Sequence, residues 1–411
     1  MTAPLVGLRV LELSRILAGP WAGQLLADYG AEVIKIERPG TGDDTRSWGP
    51  PYLADDAGRE TGESAYFLST NRGKRSVAID IARPEGQDLV RRLALDCDVL
   101  IENFKVGGLQ RYGLDYANLA AEHPALIYCS ITGFGQDGPY AEFAGYDAAI
   151  QAMGGLMSIT GGPDELPGGG PQKVGVAVAD LMCGLYAVTA IQAALLHRQT
   201  SGHGQHIDLS LLDTQVAWLA NQAGNYLVGG QVPGRQGTAH PNIVPYQVFA
   251  TADGHVMLAV GNDAQFARFA ELAGHPEWAM DADYRSNHGR VQHRERLVPM
   301  IESVMRQRST DGWVSACRSA GVPASPINNL AQVFADPHVE HRQMVRYLGH
   351  PFRARLPTLA NPVRFSATPV EYEQPPPLLG ADTHTVLTQR LGLGETEVAE
   401  LARLGVIDCA R

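Results

Sequence analysis

The chain has 411 residues, 45% hydrophobic and 19% charged, with a formal net charge of −11. That length is too great for one simple core, so more than one globular domain is expected, and the acidic balance argues against nucleic acid as a partner. Five scattered cysteines (Cys97, Cys129, Cys183, Cys317, Cys409) offer no CxxC pair, and no uninterrupted apolar run reaches the ~18 residues of a membrane span, so a reduced, cytoplasmic setting without a membrane is expected.

The chain opens almost at once into a strand pattern, with no basic, apolar leader at its start. Strand-length apolar runs recur at Leu8–Leu13, Glu32–Glu37, Ser76–Ile81, Asp98–Glu102 and Leu126–Ile131. Helical patterns fall between several of them, near Pro20–Tyr29, Pro84–Leu95 and Leu114–Glu122. Strands alternating with helices call for right-handed crossovers and a parallel sheet covered on both faces, hence an α/β, Rossmann-like domain. Helices are next expected over Tyr146–Met153 and Asp180–Arg198, a strand at Gln205–Leu209, and one long helix over Leu211–Val228. The texture then changes: a Gly-, Pro- and His-rich loop leads to a hairpin at Tyr246–Ala250 and His255–Val260, followed by helices near Asp263–Ala273, His293–Arg306 and Ser309–Ala320. These features divide the chain into a large domain (1–229), a small α+β domain (230–325) and a Pro-rich tail (326–411) expected to pack back, with a last helix near Thr396–Leu404.

The first loop, Ser14 to Gly23, follows a strand and opens a helix but lacks GxGxxG, so Glu37 makes only a weak case for a dinucleotide ribose. Basic residues collect instead in loops and strand ends: Arg15, Arg38, Arg46, Arg72, Lys74, Arg75, Lys105 and Arg111. Guanidinium groups there suit phosphate oxygens, although each alone could be a solvated surface charge. The first 111 residues hold 14 Lys and Arg against 16 Asp and Glu, and the rest 19 against 28, so an anionic ligand is expected on the N-terminal part. His338-Val339-Glu340-His341 lacks HExxH spacing and a third ligand, so no metal site is read. Neither a Gly-x-Ser-x-Gly elbow nor a Walker A loop is present.

Asp180 ends the small apolar run Val174–Ala179 and opens an Ala-rich helix, after a glycine-rich stretch from Gly161 to Gly170. A helix-capping aspartate is the ordinary reading of such a residue. The first-turn N–H dipoles are expected to keep it ionised, and in this company it is the candidate nucleophile.

Leu17-Ala18-Gly19-Pro20, Gly30 to Glu37, Asn71-Arg72-Gly73-Lys74-Arg75-Ser76, Glu102-Asn103-Phe104, Gly145-Tyr146-Asp147, Asp180 and Pro375 to Gly380 occur in the order seen in class III CoA-transferases, and the chain resembles that family over its whole length. The resemblance implies an interlocked homodimer of ring-like subunits that acts on acyl-CoA and small carboxylic acids, with coenzyme A entering as substrate and no separate cofactor or metal. It assigns Asp180 as the nucleophile. It assigns Leu17, Ala18, Arg38, Asn71, Arg72, Gly73, Lys74, Asn103, Phe104, Lys105, Arg111, Tyr146 and Asp147 to coenzyme A. Within the family, Gly42 to Pro51, Gly237 to Gln247 and Gly321 to Asn329 are similar to enzymes that pair succinyl-CoA with glutarate or hydroxymethylglutarate. A distal acceptor carboxylate needs a cation, and Arg46, Arg72 and His240 are the candidates. Related acyl-CoA racemases carry a histidine where this chain has Tyr146, which leaves their acid–base pair incomplete here.

Overall fold

In the computed structural model, which describes residues 3–409, the apolar runs become strands of one sheet. In chain order the elements that build it are β1 (Arg9–Glu12), α1 (Ala18–Asp28), β2 (Glu32–Glu37), β3 (Lys74–Ile79), α2 (Pro84–Leu95), β4 (Val99–Glu102), β5 (Ile127–Thr132), α3 (Asp147–Met153), α4 (Val178–Ser201), β6 (His206–Ser210) and α5 (Leu211–Ala217). The spatial order β3-β2-β1-β4-β5-β6 is parallel throughout, and among the described residues Ile407–Asp408 adds a seventh strand, antiparallel, beside β3. Successive strand residues point to opposite faces, so two apolar layers form. Leu11, Ile34, Val77 and Leu100 pack with α2 on one face, while Val10, Val33, Val99 and Cys129 pack with α1 and α4 on the other. The order reverses between β1 and β4, where the carboxyl ends of parallel strands leave a crevice.

By length and apolar composition α4 could cross a bilayer. Its Ala179, Cys183, Ala187, Ile191 and Ala194 instead form a stripe buried in the core, a spacing of three to four residues that lies along one helix face.

The chain divides into two compact units, one formed by 1–155, 174–224 and 340–411, the other by 156–173 and 225–339. In the second, Tyr246–Ala250, His255–Ala259 and Ala324–Pro326 make an antiparallel sheet, and Phe249, Leu258, Phe266, Phe269, Ile301 and Trp313 fill its core beneath three helices. The segment 156–173, which the sequence reading places in the large domain, belongs to this unit, and the tail from 340 belongs to the first. The long helix expected over 211–228 is broken: α5 stops at Ala217 and a separate helix runs over Ala220–Gly229. Ala220 takes a φ of 44°, which no helix can continue through.

Candidate active site

The site grows from the loops that leave β1 and β4. The Asn103 side chain accepts the Arg15 N–H at 3.0 Å and donates to the Arg15 carbonyl at 2.7 Å, which ties the two loops together across the reversal point. Above them lies a cavity of about 580 Å³. Leu17, Ala18, Asn103, Phe104, Lys105, Arg111, Tyr146 and Asp180 all line it, together with Arg15. Arg15, Arg111 and Phe104 also line a smaller adjoining cavity of about 260 Å³, to which Arg38 contributes. Arg15, Arg38, Lys105 and Arg111 are exposed, so this rim is cationic in a chain that is acidic overall.

Glycines bring the aspartate to this place. A Cβ on Gly184 would sit 2.7 Å from the Ala18 carbonyl and 3.0 Å from Trp21, so α4 approaches α1 closely only because that position is bare. Gly133 and Gly145 press backbone to backbone in the same way, each leaving under 2.7 Å for a Cβ, and this delivers Tyr146 and Asp147 beside α4. Asp147 Oδ1 accepts the Ala179 N–H at 2.9 Å, while Gln151 donates to Oδ2 at 2.7 Å and accepts the Val174 N–H at 3.0 Å. Asp147 thus takes up the donor at the start of α4 that the sequence reading left for Asp180. Asp180 lies in the first turn, partly buried, with Ala177 at the cap. Burial, and after it the charge of Asp147, pushes its carboxyl up to about 7. The direction is upward, set first by burial, so, against the expectation from sequence, the helix end does not hold this carboxyl in the ordinary carboxylate range.

Several motif residues do not reach the cavity. Arg72 is buried with its guanidinium bidentate on Asp28 (2.8 and 2.6 Å) and a further bond to Thr358. Arg46 is bidentate on Glu37 (2.8 Å twice), reaches Glu63 at 3.2 Å, and stacks on Phe67 at 3.6 Å. Lys74 pairs with Glu12 at 2.8 Å and donates to Asn71 at 2.8 Å; burial lowers it to about 8. Asn71 is fully buried, and Gly73 holds a φ of 75° against Ala27. Buried charges persist where partners saturate them, and these partners are spent on one another. Arg46 and Arg72 are thus structural ion-pair members, not free cations for an acceptor, and Asn71, Gly73 and Lys74 support the site from below.

His240 lies in the second unit, in a loop clamped by its own neighbours. Arg294 donates to the carbonyls of His240 (3.0 Å) and Pro241 (2.9 Å), and the Asn242 N–H donates to His240 Nδ1 at 3.0 Å. That bond leaves the proton on Nε2, and burial followed by the charge of Arg294 lowers the pKa, so His240 offers a neutral donor. The Gly161–Gly170 stretch closes on itself through Gly170 N–H to the Gly162 carbonyl, and Gly237 N–H joins the Gly161 carbonyl, all within that unit. Among the described residues no cluster of three or more His, Cys, Asp or Glu could hold a metal.

Sequence reasoning missed Tyr66, Phe143 and the bend at Ile16. Tyr66 is raised by burial and then by the charges of Asp180, Asp147 and Asp43, and Trp48 packs edge-on to its ring at 5.2 Å. Phe143 stacks with Tyr140 and lines the cavity. The one available signal was the charge inside apolar strands: Glu12 and Lys35 interrupt hydrophobic runs, and both are buried beneath the loops of the site.

Residues 5–383 match CoA-transferase family III. A succinate–glutarate CoA-transferase of Agrobacterium fabrum is 52% identical over 386 residues, 94% of this chain and 95% of that protein. A human succinyl-CoA:glutarate CoA-transferase is 43% identical over 405 residues, 98% of this chain and 90% of that protein. A crystal structure of a CAIB/BAIF family protein from Brucella suis is 48% identical, with a TM-score of 0.83 over 95% of this chain and 100% of that one. With a parallel-rich α/β sheet and an aspartate in a cation-rimmed cavity at its carboxyl edge, this chain belongs to CoA-transferase family III.

Proposed function

We propose that the protein moves CoA from an acyl-CoA donor, succinyl-CoA, to a free dicarboxylic acid, glutarate or hydroxymethylglutarate. The observation that carries this reading is the placement of Asp180 in one cavity with Arg15, Lys105 and Arg111, in a chain half identical to a succinate–glutarate enzyme. The exposed cations of the rim suit the phosphates of coenzyme A, and Leu17, Ala18 and Phe104 offer an apolar path for the pantetheine towards Asp180. The large unit is read as a Rossmann-like platform, and the working form as an interlocked homodimer in the cytoplasm.

In this reading the Asp180 carboxylate attacks the thioester carbonyl and CoA thiolate leaves, forming a mixed anhydride. The thiolate attacks the aspartyl carbonyl, releases the donor acid and leaves an aspartyl-CoA thioester. The acceptor carboxylate expels the thiolate to form a second anhydride. The thiolate then attacks the acceptor's carbonyl, giving the new acyl-CoA and free Asp180. Each step exchanges groups of similar energy. The N–H groups at the uncapped start of α1 are donors for the developing oxyanions. Arg46 and Arg72 are spent on carboxylates and are not offered for the acceptor's distal carboxylate.

Succinyl-CoA incubated with glutarate, hydroxymethylglutarate, itaconate, malate, oxalate and carnitine, with products followed by mass spectrometry, tests this. Glutaryl-CoA formed by the wild type and not by Asp180→Asn is expected. Transfer to a different acid alone would keep the mechanism and change the substrate. Thioester exchange that survives Asp180→Asn would remove the nucleophile from the account.

A further inference from the structure

Ile16 carries a φ of 73°. That is left-handed backbone, where a β-branched side chain clashes with its own chain and where glycine sits without penalty. A residue of this kind persists only where its surroundings over-determine it. Here those surroundings can be named. Asp43 accepts the Ile16 N–H with both carboxylate oxygens, at 3.2 Å each. The same carboxylate accepts the Thr45 N–H at 3.0 Å and the Thr45 hydroxyl at 2.8 Å, and Lys35 Nζ lies 2.9 Å from Oδ2. Lys35 is held in turn by Glu12 at 3.0 Å and by the Ser14 carbonyl at 2.8 Å. Asp43, Thr45, Lys35 and Glu12 are all buried, so the anchor is rigid. One residue upstream, Asn103 grips Arg15 by its N–H and its carbonyl. Ile16 is therefore fixed between two clamps.

The bend decides what faces the cavity. Arg15, Ile16, Leu17 and Ala18 are consecutive, and all four line the wall shared with Asp180. The first turn of α1 follows immediately, with Leu17 at the cap and no side chain satisfying its donors. An Ile16 relaxed to ordinary φ would swing the chain away and withdraw Leu17, Ala18 and the free N–H groups from that wall.

We propose that Asp43 is a positioning residue for CoA transfer, holding Ile16 in the left-handed conformation that presents residues 15–18 to the Asp180 cavity. The proposal rests on the reading of that cavity as the transfer site. Its signature is conditional: Asp43 matters because residue 16 is not glycine.

A double-mutant cycle tests this, with kcat and KM for succinyl-CoA measured on the intact protein, Asp43→Asn, Ile16→Gly and the double variant. Asp43→Asn is expected to lower kcat/KM about thirtyfold, with kcat the more affected, as one released strained residue allows. In the Ile16→Gly background the same change is expected to cost about tenfold less, because glycine adopts the bend without strain for Asp43 to offset. Equal losses in the two backgrounds, with the wild type active, would overturn the proposal and leave Asp43 as part of a buried ion pair only. A wild type that transfers no CoA would refute the site reading, and the proposal with it. Should Asp43→Asn not fold, Thr45→Val takes its place in the cycle, since it loosens the Asp43 carboxylate while keeping its charge against Lys35.

Discussion

Asp147 and Asp180 divide the start of α4 between them: Asp147 accepts the Ala179 N–H at 2.9 Å, and Asp180, left without it and partly buried, is pushed up to about 7. Burial is the larger cause and the Asp147 charge the second. The chain therefore keeps a carboxyl poised near neutrality, where a nucleophile can exist as carboxylate yet is poorly solvated.

The acid limb of the pH profile should report this group. In the proposed reaction attack needs the carboxylate, so kcat/KM should fall tenfold per pH unit below an apparent pKa of about 7. Asp147→Asn removes the neighbouring charge while an amide oxygen can still accept the Ala179 N–H, so the limb should move to lower pH. Steady-state rates between pH 5.5 and 9 decide it; an unmoved limb would remove Asp147 from the account.

Stability should carry the opposite sign from activity. An unfolded aspartate holds its proton only below pH ~4, whereas folded Asp180 holds it up to about 7. Between those values the native state binds more protons, so stability declines as pH rises. Asp180→Asn should thus abolish transfer and yet stabilise the fold at pH 8 by about 2–4 kcal/mol, the gain shrinking towards pH 4. Urea melts of both proteins at pH 5 and 8 would show it.

Arg46 and Arg72 should behave as structural residues. Replacing either with Met leaves Glu37 or Asp28 buried without its main partner, for a loss of about 3–5 kcal/mol. Surviving folded protein should show no selective rise in KM for dicarboxylates over monocarboxylates. A selective rise without destabilisation would restore the acceptor role to them.

Gly184 should tolerate no side chain. A methyl 2.7 Å from the Ala18 carbonyl has backbone, not a flexible side chain, in its way, so Gly184→Ala should cost about 1–3 kcal/mol by forcing α1 and α4 apart. Because Leu17 and Ala18 start α1 and Asp180 starts α4, transfer should fall with stability. Thermal melts and kcat measured together check this; Gly224→Ala, in open space, serves as the control.

Much of the framework is legible in the residues. The runs around Val10, Val33, Val99 and Cys129 name themselves as strands, since a parallel sheet buried on both faces needs continuous apolar stretches of strand length. Their alternation with Pro20- and Pro84-led helices indicates the crossovers. The short Ile407–Asp408 strand and the break at Ala220 are not legible, because one depends on a partner strand over 300 residues away and the other on a single backbone angle.

The site divides along the same line. By itself, the sequence determined the order of the motifs, the apolar strands and the position of Asp180 at a helix start, all of which depend on neighbours in the chain. Only the tertiary structure decided which charges are free. Lys105 and Arg111 stand exposed on the cavity wall, with Arg15 beside them exposed but paired with Asp44 at 2.7 Å, whereas Arg46, Arg72 and Lys74, of the same residue types, are neutralised by Glu37, Asp28 and Glu12 in the interior. A charge in a sequence has no environment. Its burial and its partner come from strands far apart in the chain, and those two quantities set both its pKa and its availability to a ligand.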